Sequence, residues 1–324
     1  MRYFLGADLG STKTHIAIAD ETGVVVGFGK AGSGNHQGVG HNGMLMALQD
    51  GLAQTLTSSG LVVAQLDGAG FGIAGYDWPA DKPALLGVIN QLGLPCAIGM
   101  VNDAVPGLIA AAQDGWGVSL ISGTGCNCRG RDQTHEREGR VTGYGYHMGE
   151  FAGASELVWR AMQAVSHAWT LRGPQTALTA AFITYAGAKN LADLIEGYTT
   201  ERYHVGSEAA RLVFEVARQG DEVARALVQW AGVELAEMAK AVIRQLQFET
   251  LTFDVVLSGS MFAGGPLLIE PMWATISRFA PGARLVHLTL PPVMGAIILG
   301  MEQGGLPVSP EIRCKLAASL EVVV

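Results

Sequence analysis

The sequence predicts an α/β protein with a duplicated architecture. Three observations carry that expectation. Strand-like and helix-like runs alternate through the first 115 residues in the order βββαβαβα, a mixed α/β pattern. A glycine- and threonine-rich turn between two strand-like runs occurs near residue 10 and again near residue 124, opening two similar units. The length of 324 residues, set against about 150 residues per domain, predicts two domains, with the boundary near residues 115–118.

The elements read as follows. Tyr3–Ala7 is a short apolar strand, His15–Asp20 alternates Ile16 and Ile18, and Val24–Phe28 follows across the Thr22-Gly23 turn as a hairpin. Met44–Leu56 places Met44, Leu45, Leu48, Leu52 and Leu56 at helical spacing. Gln65–Phe71 reads as a buried strand, Pro83–Leu92 as a helix, Ala97–Val101 as a strand and Val105–Gln113 as a helix. The pattern restarts after Gly115-Trp116-Gly117. Val118–Ser122 and Cys126–Gly130 form a strand and its antiparallel return, and Ala154–Val165 a helix. A long helical stretch is expected over Glu208–Gln247, its second part striped by Leu227, Ala231, Leu235, Met238, Val242 and Leu246. Strand Val255–Leu257, helix Leu267–Phe279, strand Arg284–Leu288 and helix Val293–Met301 close the chain.

Composition excludes several classes. Hydrophobic residues make up 49% and charged residues 15%, against roughly 25% charged in average soluble chains, so disorder is excluded. The most apolar stretch, Leu285–Met301, is interrupted by His287 and Pro291-Pro292 and falls short of the ~20 residues of a membrane span. The opening Met1–Leu5 runs into Asp8 and a glycine turn, which is no signal-peptide plan, so a cytoplasmic chain without a membrane partner is expected. With 21 Lys and Arg against 29 Asp and Glu, the net charge of −8 provides no basic field for nucleic acid. Cys96, Cys126, Cys128 and Cys314 form no disulfide framework and read as reduced thiols. The single residue between Cys126 and Cys128 is also too short for a zinc knuckle, which leaves metal binding there a distant alternative.

Three glycine turns carry the chemistry. In Leu5–Thr14 a strand ends at Asp8 and turns through Gly10, Ser11, Thr12 and Lys13. Backbone N–H groups and hydroxyls of such a turn form a nest for phosphate oxygens, and Asp8 suits a hydrated Mg²⁺. The spacing is not that of a Walker A loop. Alone, the segment reads equally well as an ordinary hairpin. Gly123-Thr124-Gly125, with Asn127 behind it, occupies the corresponding place in the second unit. Two such turns facing each other would grip a triphosphate. Gly259-Ser260, in Leu257–Pro266, lies between a strand and a helix, where glycine lets a planar base approach the backbone.

With these motifs the sequence resembles the sugar kinase/heat-shock ATPase/actin superfamily, more closely the N-acetylglucosamine kinase branch of the BadF/BadG/BcrA/BcrD ATPase family. The likeness spans essentially the whole chain. It includes Gly34-Asn35, Asn102-Asp103-Ala104, Gly143-Tyr144-Gly145, Ser258-Gly259-Ser260 and Pro291–Ala296. It implies two ribonuclease-H-like (actin-like ATPase) domains, 1–117 and 118–324, flanking a cleft, and leaves open whether the last helix returns to the first. It implies Mg²⁺ and ATP as cofactors, a small-molecule amino sugar phosphorylated on its 6-hydroxyl, and a homodimer. Asp103 stands at the family's catalytic aspartate. On its residues alone it reads as an N-cap of the helix that follows. Asn35 matches a sugar-binding asparagine, beside its plain reading as a turn residue. Gly143, Tyr144, Gly145 and Glu150 match a sugar loop but depart from it: relatives carry Trp at 144 and an aspartate at 150. Tyr144 still offers an apolar face to a sugar. Glu150, one methylene longer than aspartate, leaves the identity of the sugar open, and its other reading is a charge at the N-terminus of the next helix.

Met44, Met46 and Met148 read as packing residues, and Trp159, Trp169, Trp230 and Trp273 as core or interface anchors. His36 and His41 read as solvent-facing loop residues, and Arg131–Glu138, with His135, as a solvated turn tip. The functions to be separated are an amino-sugar kinase, a kinase for glucosamine or another hexose, a dehydratase-activator ATPase with a [4Fe–4S] cluster, and a sugar-sensing regulator.

Overall fold

The computed structural model describes residues 1–322. Five strands form the first sheet: β1 (Tyr3–Leu9), β2 (Thr14–Asp20), β3 (Val25–Ala31), β4 (Leu66–Ile73) and β5 (Ala97–Asn102), in the order β3-β2-β1-β4-β5. The second sheet repeats the plan with β6 (Gly117–Ser122), β7 (Cys126–Arg131), β8 (Glu138–Arg140), β9 (Phe253–Ser258) and β10 (Ala283–His287), in the order β8-β7-β6-β9-β10. In each, two antiparallel pairings join the first three strands and parallel pairings add the last two. The duplication is therefore one of topology as well as of motif.

The first sheet carries α1 (His36–Ser59), α2 (Lys82–Asn90) and α3 (Ala104–Ala111). Alternation along β1 turns Leu5, Ala7 and Leu9 toward Met44, Leu48 and Leu52 of α1, while Phe4 goes to the opposite face. Asp8 shares that opposite face. α4 (Ala154–Trp169), α5 (Leu178–Ala186), α6 (Leu191–Thr199), α7 (Ala210–Arg218), α8 (Glu222–Leu246) and α9 (Pro266–Phe279) belong to the second half, where Leu235, Val242 and Leu246 of α8 join Leu120 and Val255 in one core.

The last two helices, α10 (Val293–Gln303) and α11 (Pro310–Leu320), return to the first sheet, where Ile297, Ile298 and Leu316 pack with Phe4, Val105 and Ile109. α10 lies so close to β4 that a side-chain carbon on Gly70 would strike its backbone, which accounts for part of the glycine content. Leu108 of α3 and Ala112 just beyond it meet Val256 of β9, so α3 lies between the two sheets. Asp103 directly precedes α3 and so stands at the junction of the first sheet with this interlayer helix.

Several expectations are corrected. The stretch Glu208–Gln247 is two helices, broken at Gly220 (φ 98°) and restarted by Asp221, whose carboxylate accepts from Ala224 N. The helix expected from Met44 begins eight residues earlier, with a kink at Gly40, and includes His36 and His41 stacked ring on ring. Met46 and Met148 are each 63% exposed and so are not packing residues, and Trp159 and Trp169 are also exposed, which removes the core alternative for them and leaves that of interface anchors. Arg131 and Asp132 are buried rather than solvated, Arg131 bonding Glu302 of α10 at 2.6 Å. Helices α5, α6 and α11 and strand β8 were not expected.

Candidate active site

β1 and β2 are joined by a tight turn in which Gly10 N donates to Lys13 O (2.9 Å), leaving Ser11, Thr12 and Lys13 exposed. Between β6 and β7 the equivalent bond runs from Gly123 N to Gly125 O (2.9 Å). Here the carbonyls of Gly123 and Thr124 accept from Ala154 N and Ser155 N, so the turn is seated on the N-terminus of α4. Thr124 is exposed, and the Cβ directions of Gly123 and Gly125 open on free space, leaving bare backbone for an anion. Gly259 (φ 108°) lies against the Ser122 carbonyl, where any side chain would collide, so the third glycine turn is locked to the second. Beside it is a cavity of about 250 Å³ lined by Ser260, Gly264, Arg211 and Phe214. Arg211 and Phe214 were missed in the sequence, because α7 signals only an amphipathic helix.

Asp8 is the penultimate residue of β1, near the first turn. Desolvation raises its carboxyl to about 7, with Asp103 adding to the rise and Lys13 opposing it. Asp103 follows β5, and its carboxyl is raised to about 6 by desolvation and by Asp77, against the lowering effect of Arg129 and the nearby Asp103 and Ala104 amides. It makes no side-chain cap bond. The cap is Asn102, whose Oδ1 accepts from Ala104 N at 3.0 Å, which corrects the reading of Asp103 as the capping residue.

The sugar-loop residues come together around β7. Gly143 (φ 74°) and Gly145 (φ 61°) flank Tyr144, which is half exposed, and Gly143 lies against the Asn127 side chain. Glu150 is buried. Its Oε1 accepts from Thr142 N (2.7 Å) and Thr142 Oγ1 (2.8 Å), so it is held by the loop and not by a helix N-terminus. Its Oε2 and the Oδ1 of Asn127 are buried acceptors with no partner. Unpartnered buried acceptors are costly and mark a place where a ligand's donors fit. Asn35 caps α1, its Oδ1 accepting from Gln37 N (3.0 Å) and its Nδ2 donating to Ser11 Oγ (3.1 Å), which ties the loop after β3 to the first phosphate turn.

Cys126 and Cys128 lie buried on β7. Burial pushes both thiols up, Cys126 to about 12, the reverse of what a ligating thiolate requires. Among the described residues no group of three His, Cys, Asp or Glu side chains is arranged for a metal ion, and no helix is long and apolar enough to cross a membrane.

The chain resembles characterised proteins along nearly its whole length. It is 24% identical over 308 residues to an N-acetylmuramic acid/N-acetylglucosamine kinase of Clostridium acetobutylicum, covering 94% of this chain and 99% of that protein. It is 25% identical over 311 residues to an N-acetyl-D-glucosamine kinase of Dictyostelium discoideum, covering 92% and 97%. Among solved structures, a protein of Chromobacterium violaceum provisionally assigned as an N-acetylglucosamine kinase superposes with a TM-score of 0.66 at 22% identity, covering 92% of this chain and 99% of that one, and so shares the fold. Residues 5–300 match the family model, and the chain belongs to the BadF/BadG/BcrA/BcrD ATPase family.

Proposed function

We propose that the chain is an ATP-dependent kinase that phosphorylates the 6-hydroxyl of an amino sugar, N-acetylglucosamine foremost. The observation that carries this reading is Asp103: a carboxyl at the start of the helix between the two sheets that makes no cap bond, with a pKa of about 6, ionised at neutral pH yet still basic enough to take a hydroxyl proton. The unpartnered acceptors of Glu150 and Asn127 support it, since sugar hydroxyls are the donors they lack. So do the names of the two relatives of known activity.

Each residue then has a role. The turns Gly10–Lys13 and Gly123–Gly125 receive the phosphates, Thr12 and Thr124 donating to them. Gly259, Ser260 and the cavity beside Phe214 receive the adenosine. Asn127, expected with the second phosphate turn, is instead assigned to the sugar because its side chain lies against Gly143; with Glu150 it orients the sugar, Asn35 acts from the opposite side and Tyr144 along its apolar face. Asp103 orients the attacking hydroxyl and accepts its proton. The donor set fits Mg²⁺: Asp8 and Asp103 are two mutually repelling carboxyls in a desolvated site, which a hydrated divalent cation on Asp8 would neutralise. When bound, that cation offsets the charge developing on the transferred phosphoryl group. Residues 1–117 together with α10 and α11 act as one domain and residues 118–292 as the other, hinged at Gly115-Trp116-Gly117, and their closure excludes water.

The test is coupled ADP release across N-acetylglucosamine, N-acetylmuramic acid, glucosamine, N-acetylmannosamine and glucose, with the position of the phosphate read by NMR. The expected result is the highest kcat/KM on N-acetylglucosamine and a 6-phosphate. Absence of sugar-dependent ADP release overturns the reading.

A further inference from the structure

Arg129 is the largest fully buried side chain in the molecule, 1% exposed, on β7 two residues beyond Asn127 and so on the same face of the strand. Its Nη2 donates to Asp77 Oδ1 (2.9 Å), in the loop after β4 on the other side of the cleft, and its Nη1 to Glu138 Oε1 (3.0 Å) on β8. Asp77 is a junction. Its Oδ1 also accepts from Asn102 Nδ2 (3.2 Å), its Oδ2 from Gln37 Nε2 (3.1 Å), and its carbonyl from Arg140 Nη1 (2.7 Å). Arg140, again from the second half, lies over the Trp78 ring at 4.9 Å. Asn102 precedes Asp103 and caps the helix that Asp103 opens, while Gln37 is the residue that Asn35 caps.

Burying an ion pair yields little net stability, because desolvation offsets the attraction, and its best-attested use is to enforce one arrangement. Here the arrangement enforced is the register of the two halves at the base. We infer that Arg129 is a positioning residue for phosphoryl transfer: through Asp77 and Asn102 it orients Asp103 when the two halves close. The inference rests on the reading of Asp103 as the base. The chain of contacts makes the second half a condition for a correctly placed carboxylate, so the base is assembled where the phosphate turn Gly123–Gly125 has also arrived.

The experiment compares Arg129→Met, Arg129→Lys, Asp77→Asn and the double variant Asp77→Asn/Arg129→Met, with MgATP and N-acetylglucosamine, or the best sugar of the screen. A misplacement of about 1 Å costs up to about 10²-fold, so kcat falls about 10- to 100-fold in Arg129→Met while both KM values stay within about threefold. Arg129→Lys, which reaches only one of Arg129's two carboxylate partners, restores part of the loss. The double variant is no worse than the poorer single one, as expected of residues acting in one chain of contacts. A crystal structure of Arg129→Met shows Asn102 released from Asp77 and the Asp103 carboxyl displaced. If Arg129→Met is too unstable to purify, Asp77→Asn and Arg129→Lys carry the same comparison. An unchanged kcat with only a lower Tm, raised KM values with kcat kept, or an Asp103 carboxyl unmoved in the crystal overturns the inference. The two readings fail separately. A displaced Asp103 together with full turnover by Asp103→Asn removes the base and leaves the coupling. An inactive Asp103→Asn beside a fully active Arg129→Met does the reverse.

Discussion

Asn102 caps the helix that Asp103 opens: its Oδ1 accepts from Ala104 N at 3.0 Å, and the neighbouring aspartate makes no side-chain cap bond. Two adjacent polar residues at a strand-to-helix junction have divided the work. One holds the helix, and the other keeps its carboxyl clear.

That division gives the two residues different signatures. Asp103→Asn removes the proton acceptor and lowers kcat by about 10²–10⁴-fold, the range of general acid–base groups, with thermal stability unharmed. Asn102→Ala removes the cap, destabilising by about 1 kcal/mol, and also breaks the contact with Asp77, so its kcat falls as well. Steady-state kinetics at saturating sugar and thermal melts on both variants check the pair.

With Asp103 as the proposed base, turnover is expected to have an acidic limb. The Asp103 carboxyl, raised to about 6, must be ionised to accept a proton, so kcat declines below about pH 6, by about tenfold per unit at the low end. Asp77 is one cause of the rise. Replacing it by Asn therefore moves the limb to lower pH, whatever it does to the plateau. A kcat–pH profile of both proteins reads the sign.

Asp8 places a cost on the fold when no nucleotide or cation is present. Its folded pKa, about 7, exceeds the ordinary carboxyl value near 4, so the folded state holds the proton more tightly than the unfolded one. Stability is then lost as pH rises from about 4 to about 7, and the full cost stands above that window. Asp8→Asn should melt higher than the parent at pH 8 and equally at pH 4, each kcal/mol recovered being worth about 2–4 °C. The same variant should have a raised KM for MgATP. Melts across pH without added metal test the first half, and kinetics the second.

On the proposed reading Glu150 binds the sugar. In Glu150→Gln one amide oxygen can keep the Thr142 bonds, while the free Oε2 acceptor becomes a donor. Losing one charged hydrogen bond of about 1.5–3 kcal/mol predicts a rise of about tenfold or more in the sugar KM, with the ATP KM unchanged. Titrating each substrate separately distinguishes the two effects.

Local patterning determined much of this protein. Short apolar runs, alternating at Ile16 and Ile18, predicted the core strands of both sheets, apolar spacing predicted α1 and the second part of α8, helix-like runs marked α2, α4 and α9, and glycine turns marked the places where backbone lies open between strands. The break at Gly220-Asp221 was also written locally, as a glycine followed by a capping residue, and was overrun by the apolar stripe on either side. The tertiary structure decided the rest. Arg129 reads in the sequence as one more polar residue on a short strand. Its partner Asp77 lies 52 positions earlier in an unpatterned loop, and only the packing of the two sheets about α3 brings them to 2.9 Å. The return of α10 and α11 to the first sheet, the cap on Asn102 and the unpartnered oxygens of Glu150 and Asn127 have the same origin. Periodicity reports what a residue does within one turn or one strand, whereas an ion pair, a cleft or a missing partner is a property of surfaces that meet only when the chain has folded.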